Sequence, residues 1–345
     1  MEGKAVTPIA NMNKRKIGII GAGSIVETNH LPAIKSVEDL EIAWIYDRNQ
    51  RRTDLLSKMY GIGSCGEDTL QGAVAEVDIC LLAIPYGVRK PYIDLCRQLE
   101  KSMVIEKPFA FSVEEHLSYC SGFKAWQISV NFQRRYYHSV MALREVIRSG
   151  IFGKLKAIRF TQGYFSLKGG SGYLSDASLS GGGVIAESAI HALDIILHIT
   201  GASDVGLDSL KTISVRGIDY DSVFDSWLET GNSRIPVHCE ISTLQNLDNG
   251  LELQFEQACL FSELSPDSEI LVRGQGRHSP GFTLQGYDPG GANKGARRIN
   301  EAFLSFWKQV AGAMQDEQVN PTSAAQCLLT TQWLEPIYQK IKSID

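Results

Sequence analysis

The sequence predicts an α/β first half built on a doubly wound parallel sheet, residues 15–132, followed by an α+β second half with a mainly antiparallel sheet, residues 133–345. Two observations carry this. Up to about residue 131, short apolar runs alternate with helix-patterned segments, as βαβ crossover units do. From Leu210 to Val272 strand-like runs follow one another with no helix between them, so they pair through turns.

The first unit, Lys16–Asp47, reads KIGIIGAGSIVETNHLPAIKSVEDLEIAWIYD. The apolar run Ile17–Ile20 meets a Gly-x-Gly turn at Gly21 and Gly23, passes into a helix-like segment, and closes with a second apolar run ending at Asp47. Gly21 permits a sharp turn and Gly23 lets backbone approach a pyrophosphate. The N–H groups of Ser24 and Ile25, at the start of the next helix, favour negative charge. Asp47 is placed to receive ribose hydroxyls, so the unit reads as a Rossmann-type dinucleotide site. Its carboxylate repels a 2′-phosphate and favours NAD, while Arg48 beside it could welcome NADP. The third small position of the turn holds Val26.

The elements that follow are expected in order. Gln50–Tyr60 is helix-forming, Gly61–Gly66 is a turn passage, and Asp68–Ala75 is a short helix capped by Asp68. Asp78–Ile84 runs apolar without alternation, as strands covered on both faces do, and stops at Pro85. Val88–Leu99 is an amphipathic helix, Ser102–Glu106 a strand ended by Pro108, Val113–Phe123 a helix and Trp126–Asn131 a strand. In the second half, Val140–Ser149 is a helix, Lys154–Phe165 a strand, Ser175–Gly183 a flexible loop, and Val184–Thr200 a helix stopped by Gly201. Strands follow at Thr212–Val215, Ser222–Glu229, Pro236–Ser242, Leu251–Phe261 and Glu269–Val272. The Gly-rich Gly281–Arg298 is expected to be mobile, and helices at Ile299–Met314 and Ser323–Ile341 close the chain.

A chain of 345 residues, 43% hydrophobic and 21% charged, is long enough for two domains and a sizeable core. A net charge of −5 without a Lys/Arg cluster gives no reason to expect nucleic acid or a membrane surface as partner. The seven cysteines are scattered and lack a Cys-x-x-Cys pair, so they read as reduced residues of a cytoplasmic protein, with no metal site implied. Residues 1–14 lack the apolar stretch of a signal peptide and read as a flexible tail. The longest strongly apolar run, Ile79–Ile84, falls well short of the ~20 residues a membrane span requires.

Three pieces can do chemistry. Glu106-Lys107-Pro108 sits, by the doubly wound rule, at the carboxyl end of a strand, where ligands bind; Ile84 and Pro85 end the neighbouring strand. Lys107 there could stabilise an alkoxide beside a nicotinamide ring, although the tripeptide alone is equally compatible with a surface lysine. Glu187, His191 and Asp194 are spaced four and three apart, which on a helix puts all three on one face. A carboxylate beside an imidazole raises its basicity and makes His191 a general base. A surface ion pair and a metal site are the competing readings. Asn131–Tyr136 is a polar, basic and aromatic cluster at the join of the two halves, where Arg134 and Tyr136 could hydrogen-bond a substrate or lie in a solvated linker.

Together these motifs, from KIGIIGAG through HLPAI (His30–Ile34), VDICLLAIP (Val77–Pro85), EKP (Glu106–Pro108) and GGGVIAESAIHALDIIL (Gly181–Leu197), resemble the glucose-fructose oxidoreductase / inositol dehydrogenase / MocA family of NAD(P)-dependent dehydrogenases. The resemblance spans nearly the whole chain. It implies a Rossmann domain followed by a domain with an open antiparallel sheet that often forms homodimer or homotetramer interfaces. It also implies hydride transfer between nicotinamide and a ring carbon of a sugar, inositol or similar polyol. Lys107 matches the EKP lysine, His191 the acid/base histidine, and Glu187 falls where aspartate is usual. Val26, Arg89 and Ala189 depart from the family pattern. The expected function is therefore an oxidoreductase in which His191 takes the hydroxyl proton, Lys107 shares the alkoxide charge, and Glu187 and Asp194 set the imidazole. A nucleotide-binding sensor without turnover and an NAD-dependent glycosidase are the alternatives.

Overall fold

The computed structural model describes residues 14–166, 172–231, 233–274, 281–284 and 296–344. Residues 1–13 of the expected tail and 285–295 of the Gly-rich stretch lie outside the described residues.

The first sheet holds β1 (Arg15–Ile20), β2 (Leu40–Tyr46), β3 (Gly63–Ser64), β4 (Ile79–Leu82), β5 (Ser102–Ile105) and β6 (Ile128–Val130), all parallel. Helices α1 (Leu31–Lys35), α2 (Gln50–Tyr60), α3 (Leu70–Ala75), α4 (Lys90–Gln98) and α5 (Val113–Cys120) make the crossovers. The order β3-β2-β1-β4-β5-β6 reverses direction between β1 and β4, which opens a crevice at the carboxyl ends of those two strands. Both strands are almost wholly buried there, which explains their unbroken apolar runs.

The second sheet has eight strands: β7 (Leu155–Gly163), β8 (Asp204–Val215), β9 (Ile218–Thr230), β10 (Ser233–Ser242), β11 (Gly250–Phe255), β12 (Ala258–Ser262), β13 (Ile270–Gly274) and β14 (Gly281–Leu284). Their order is β14-β13-β12-β11-β7-β10-β9-β8, and every pairing is antiparallel except β7 with β10. Alternate residues such as Ile158 and Phe160, or Val237 and Cys239, enter a common core with Ile190, Leu193 and Ile196. Those three lie on α8 (Ile190–Thr200), which follows α6 (His138–Ser149) and α7 (Ala177–Ser180). Two last helices, α9 (Ile299–Asp316) and α10 (Leu328–Ile344), close the chain. Phe303, Phe306, Trp307, Val310 and Met314 of α9 join Ile17 and Ile19 of β1, Leu31 of α1 and Val26 just before it in one apolar cluster.

Several elements differ from expectation, each for a local reason. The helix expected from Asp68 begins at Leu70, because the Thr69 hydroxyl is engaged with Gly66 and no side chain caps the start. Within Ser175–Gly183 lies α7, capped by Asp176, whose carboxylate accepts the Ser178 N–H at 2.9 Å. Leu251–Phe261 is a hairpin of β11 and β12, turning at Glu256 and Gln257 without glycine or proline. The Gly61–Gly66 passage contributes the edge strand β3, and β8 starts at Asp204, well before Thr212. Among the described residues, the helical stretch that stands out for length and apolarity is Ala177–Thr200. Its 24 residues match a membrane span in length and composition, but 78% of its apolar window is buried inside the fold, so it is a core helix.

Candidate active site

The glycine turn is shaped by contacts on both sides. Gly21 has φ of 113°, and a Cβ on it would lie 2.2 Å from the Ala83 carbonyl oxygen of the next strand's end. Around Gly23, by contrast, the corresponding space is open. Asp47 braces this turn: its Oδ2 accepts the Ala22 N–H at 2.7 Å and its Oδ1 accepts the Asn49 N–H at 2.8 Å. Each oxygen keeps a further lone pair for a ligand hydroxyl. Buried Val26 opens a π-helical turn, Val26–His30, ahead of α1. Arg48 is exposed and does not line the crevice.

A cavity of about 710 Å³ runs from this turn to the join of the two halves. Gly23, Ser24, Ile25 and Asp47 line one end; Ile84, Pro85, Glu106 and Lys107 line the strand ends; Arg134, Glu187 and His191 line the far wall. All of these are residues that the sequence singles out, and they line one cavity. Asn131 and Gln133, members of the expected cluster at the join without a role of their own there, line the cavity as well, as do Tyr137, Tyr173 and Phe303, which the sequence did not indicate.

Beneath Lys107 runs a hydrogen-bonded relay whose polarity is fixed. The Trp307 indole N–H, which cannot accept, donates to His30 Nδ1 at 3.0 Å. His30 Nε2 therefore carries the proton and donates it to Glu106 Oε1 at 2.8 Å. Asn131 Nδ2 donates to the same oxygen at 2.7 Å. With its amide nitrogen so engaged, Asn131 turns its Oδ1 outward as an acceptor, and that atom is buried without a partner. Burial acts to raise the Glu106 carboxyl, but the His30 hydrogen bond and the nearby Lys107 charge hold it below the usual carboxylate range. Arg89 braces the same loop. Its guanidinium donates to the carbonyls of Ile84, Glu106 and Pro108 at 3.0, 2.6 and 2.5 Å, tying the ends of β4 and β5 together. Burial lowers Arg89 to about 10, so it remains a cation at neutral pH.

Lys107 reaches across to the second half, where its Nζ donates to the Glu187 carbonyl and lies 3.4 Å from Glu187 Oε2. The Lys107 side chain is 12% exposed and that of Glu187 49%. The imidazole of His191 is buried on the same cavity, its Nδ1 without a partner. Burial, and then the charges of Arg134 and Lys107, push His191 well below its ordinary value, so it is neutral at neutral pH. An ammonium from the first half and a neutral imidazole from the second thus share one chamber.

The expected Glu187–His191–Asp194 face does not form. Residues Ile185–Ala189 make a π-helical turn, which adds a residue per turn and carries Glu187 to Lys107 rather than to the imidazole. Asp194 turns away into a buried pair, its carboxylate accepting from Arg135 at 2.8 and 2.6 Å and from Thr330 at 3.1 Å. Neither carboxylate orients His191. Tyr136 does not line the cavity but packs against the α9 side of the core, where burial pushes its phenol up to about 12. Its neighbour Tyr137 lines the cavity in its place. Among the described residues, no three His, Cys, Asp or Glu side chains converge to hold a metal ion.

These residues fit a nicotinamide dinucleotide. The open space at Gly23, the braced Asp47, and the orphaned buried atoms of Asn131, Gln133, Arg134 and His191 along one cavity leave donors and acceptors for a bound ligand to satisfy. A Rossmann domain joined in this way to a second-domain wall defines a nicotinamide-dependent oxidoreductase fold. Residues 15–124 match the oxidoreductase family with NAD-binding Rossmann fold, and residues 140–260 match the GFO/IDH/MocA C-terminal domain. The chain belongs to the GFO/IDH/MocA family. Among curated proteins it is similar to inositol 2-dehydrogenase of Rhizobium meliloti (strain 1021), 25% identical over 60% of this chain and 63% of that protein. It is also similar to D-glucoside 3-dehydrogenase of Escherichia coli (strain K12), 22% identical over 54% of each. The matched part thus spans between about half and two thirds of these relatives. In fold it is similar to an aldose-aldose oxidoreductase from Caulobacter crescentus complexed with glycerol, with TM-score 0.80, 16% identity, and coverage of 96% of this chain and 99% of the other. An oxidoreductase from Agrobacterium radiobacter in complex with NAD+, L-tartaric acid and magnesium gives TM-score 0.76 and 20% identity over 96% and 98%.

Proposed function

We propose that the protein is an NAD(P)-dependent dehydrogenase acting on a hydroxyl-bearing carbon of a sugar, inositol or related polyol. The observation that carries this reading is the meeting of Lys107 and His191, from different halves of the chain, on the cavity that begins at the glycine turn. Bound nicotinamide supplies a hydride acceptor at that chamber.

The chain's own residues do the rest. His191, kept neutral by burial and by neighbouring cations, takes the proton of the substrate hydroxyl. Lys107, held by Glu187, donates to the same oxygen and stabilises the negative charge that develops on it. Asn131 Oδ1 and Gln133 Oε1, both buried acceptors without partners, receive N–H or O–H donors of cofactor or substrate. Asp47 receives ribose hydroxyls and favours NAD over NADP. We place the protein in the cytoplasm, as its seven unpaired cysteines suggest, and assign it a homo-oligomeric state.

The test is nicotinamide absorbance against a panel of polyols and sugars with NAD+ and NADP+. Net cofactor reduction supports the dehydrogenase; sugar release without net reduction supports a glycosidase; tight cofactor binding with neither supports a sensor. Lys107→Ala should lower kcat by roughly a thousandfold while cofactor affinity stays close to wild type. Near wild-type turnover in that variant removes the lysine from the reaction.

A further inference from the structure

A second chamber of about 200 Å³ adjoins the first, and the two share Leu174, Gly182, Glu187 and Ser188 as walls. It lies over the ends of β7, β9 and β10. Its apolar surface comes from Leu174, Val184, Ile218 and the rings of Tyr164 and Tyr220. Its polar groups are mostly committed elsewhere. Gln162 Nε2 donates to Ser188 Oγ at 2.7 Å, Thr243 Oγ1 donates to the Tyr220 carbonyl at 3.1 Å, and Ser242 Oγ donates to Asp221 at 2.7 Å.

Charge decides what could sit there. Among the described residues, no lysine, arginine or histidine lines this chamber. Asp219 is saturated: it accepts the Gly183 N–H at 2.7 Å, the Ile185 N–H at 2.9 Å and the Tyr338 hydroxyl at 2.9 Å. The remaining carboxylate, Glu187, belongs to Lys107. Among these described walls an anionic group would meet carboxylates and no counter-charge, whereas a neutral body with apolar faces would lose little in leaving water. A chamber walled by two tyrosines and three aliphatic side chains suits such a body.

Resting on the dehydrogenase reading above, we propose that this chamber is a subsite for the neutral substituent of a glycoside. The reacting ring lies by Lys107 and His191, and its aglycone or second ring passes Glu187 and Ser188 into the chamber. The substrate class is then a glycoside rather than a free or phosphorylated monosaccharide.

The experiment compares D-glucose, D-galactose and D-mannose with their phenyl glycosides in both anomers, and with glucose 6-phosphate, by nicotinamide absorbance in the presence of NAD+. At least one phenyl glycoside should show KM roughly tenfold or more below its parent sugar, and the phosphate no advantage. Thr243→Trp, which fills the chamber, and Tyr220→Ala, which removes a wall, should each raise that glycoside's KM toward the parent's; cofactor affinity and melting temperature certify that each variant is folded. Equal KM values for sugars and glycosides, preference for the phosphate, or a glycoside preference that survives both variants overturns the subsite. Saturation-transfer NMR with the same compounds on the NAD+-loaded protein reads glycoside binding without turnover. A silent absorbance assay therefore sinks the dehydrogenase reading, while absent phenyl-ring saturation sinks the subsite.

Discussion

Trp307 Nε1 donates to His30 Nδ1 at 3.0 Å, linking the penultimate helix of the chain to a buried histidine of the first crossover. Because an indole cannot accept and a carboxylate cannot donate, this contact fixes the tautomer that reaches Glu106. Trp307→Phe removes the donor and leaves part of a fully buried ring's space empty, so it should cost about 2 kcal/mol of stability and let the proton visit Nδ1. Imidazole ¹⁵N shifts of His30 report this directly; shifts unchanged from wild type would contradict the relay. His30→Ala should be worse, about 3 kcal/mol, since it strips a buried carboxylate of its main partner.

The two glycines of the turn should respond oppositely. Gly21→Ala forces a side chain onto a backbone of φ 113° with a carbonyl 2.2 Å away, and should destabilise the fold by several kcal/mol, on the order of 3. Gly23→Val meets open space and should melt close to wild type, yet raise the NAD+ dissociation constant at least about tenfold by occupying the ligand's approach. Thermal melts and cofactor titration of both variants check the contrast. Equal melting temperatures would mean that the turn is not constrained as described.

Asp47 has two jobs, bracing Ala22 and meeting the ribose. Asp47→Asn retains one acceptor for the turn but loses the charge that disfavours a 2′-phosphate. The ratio of NADP+ to NAD+ affinity should rise roughly tenfold, with Arg48 free to approach the phosphate. An unchanged ratio in competition binding would free Asp47 of any part in cofactor choice.

Buried neutral histidines set the response to acid. Burial lowers His116 to about 4 and His198 to about 3. Between those values and the ordinary histidine range near 6.5, the unfolded chain binds protons that the folded one refuses, so stability rises with pH across that window and is lost as pH falls through it. His116 contributes on the order of 3 kcal/mol to that loss by pH 4. Melting temperature against pH should therefore drop on the acid side, with a shallower slope in His116→Gln; identical slopes would exonerate this residue. His191, also lowered, should leave kcat/KM flat from neutrality to well below pH 6.5.

What the sequence revealed of the site is what local rules encode. The glycine turn, Asp47 and Lys107 could be placed because the doubly wound sheet assigns ligands to the carboxyl ends of its strands. Ideal helical spacing does not give the surroundings of His191, because a π turn intervenes and because Arg135, brought in by tertiary packing, claims Asp194. The role of His30 is not legible in the sequence, since its partners lie 76 and 277 residues away along the chain. A histidine amid the apolar HLPAI segment, needing partners if buried, was the available hint. In the sequence Arg89 is only a departure from the family pattern, and its grip on three carbonyls arises once β4 and β5 stand side by side.

The packing of α9 on the first sheet bears on how the protein is made. Val26, Leu31 and the wall around His30 find their cover in Phe303, Phe306 and Trp307. While the ribosome is still extending the chain, the nucleotide-binding half waits with a greasy flank uncovered until its final helices emerge. A chain cut after the first sheet would be an aggregation hazard rather than a free-standing module, and chaperone capture during synthesis would be keenest over that interval.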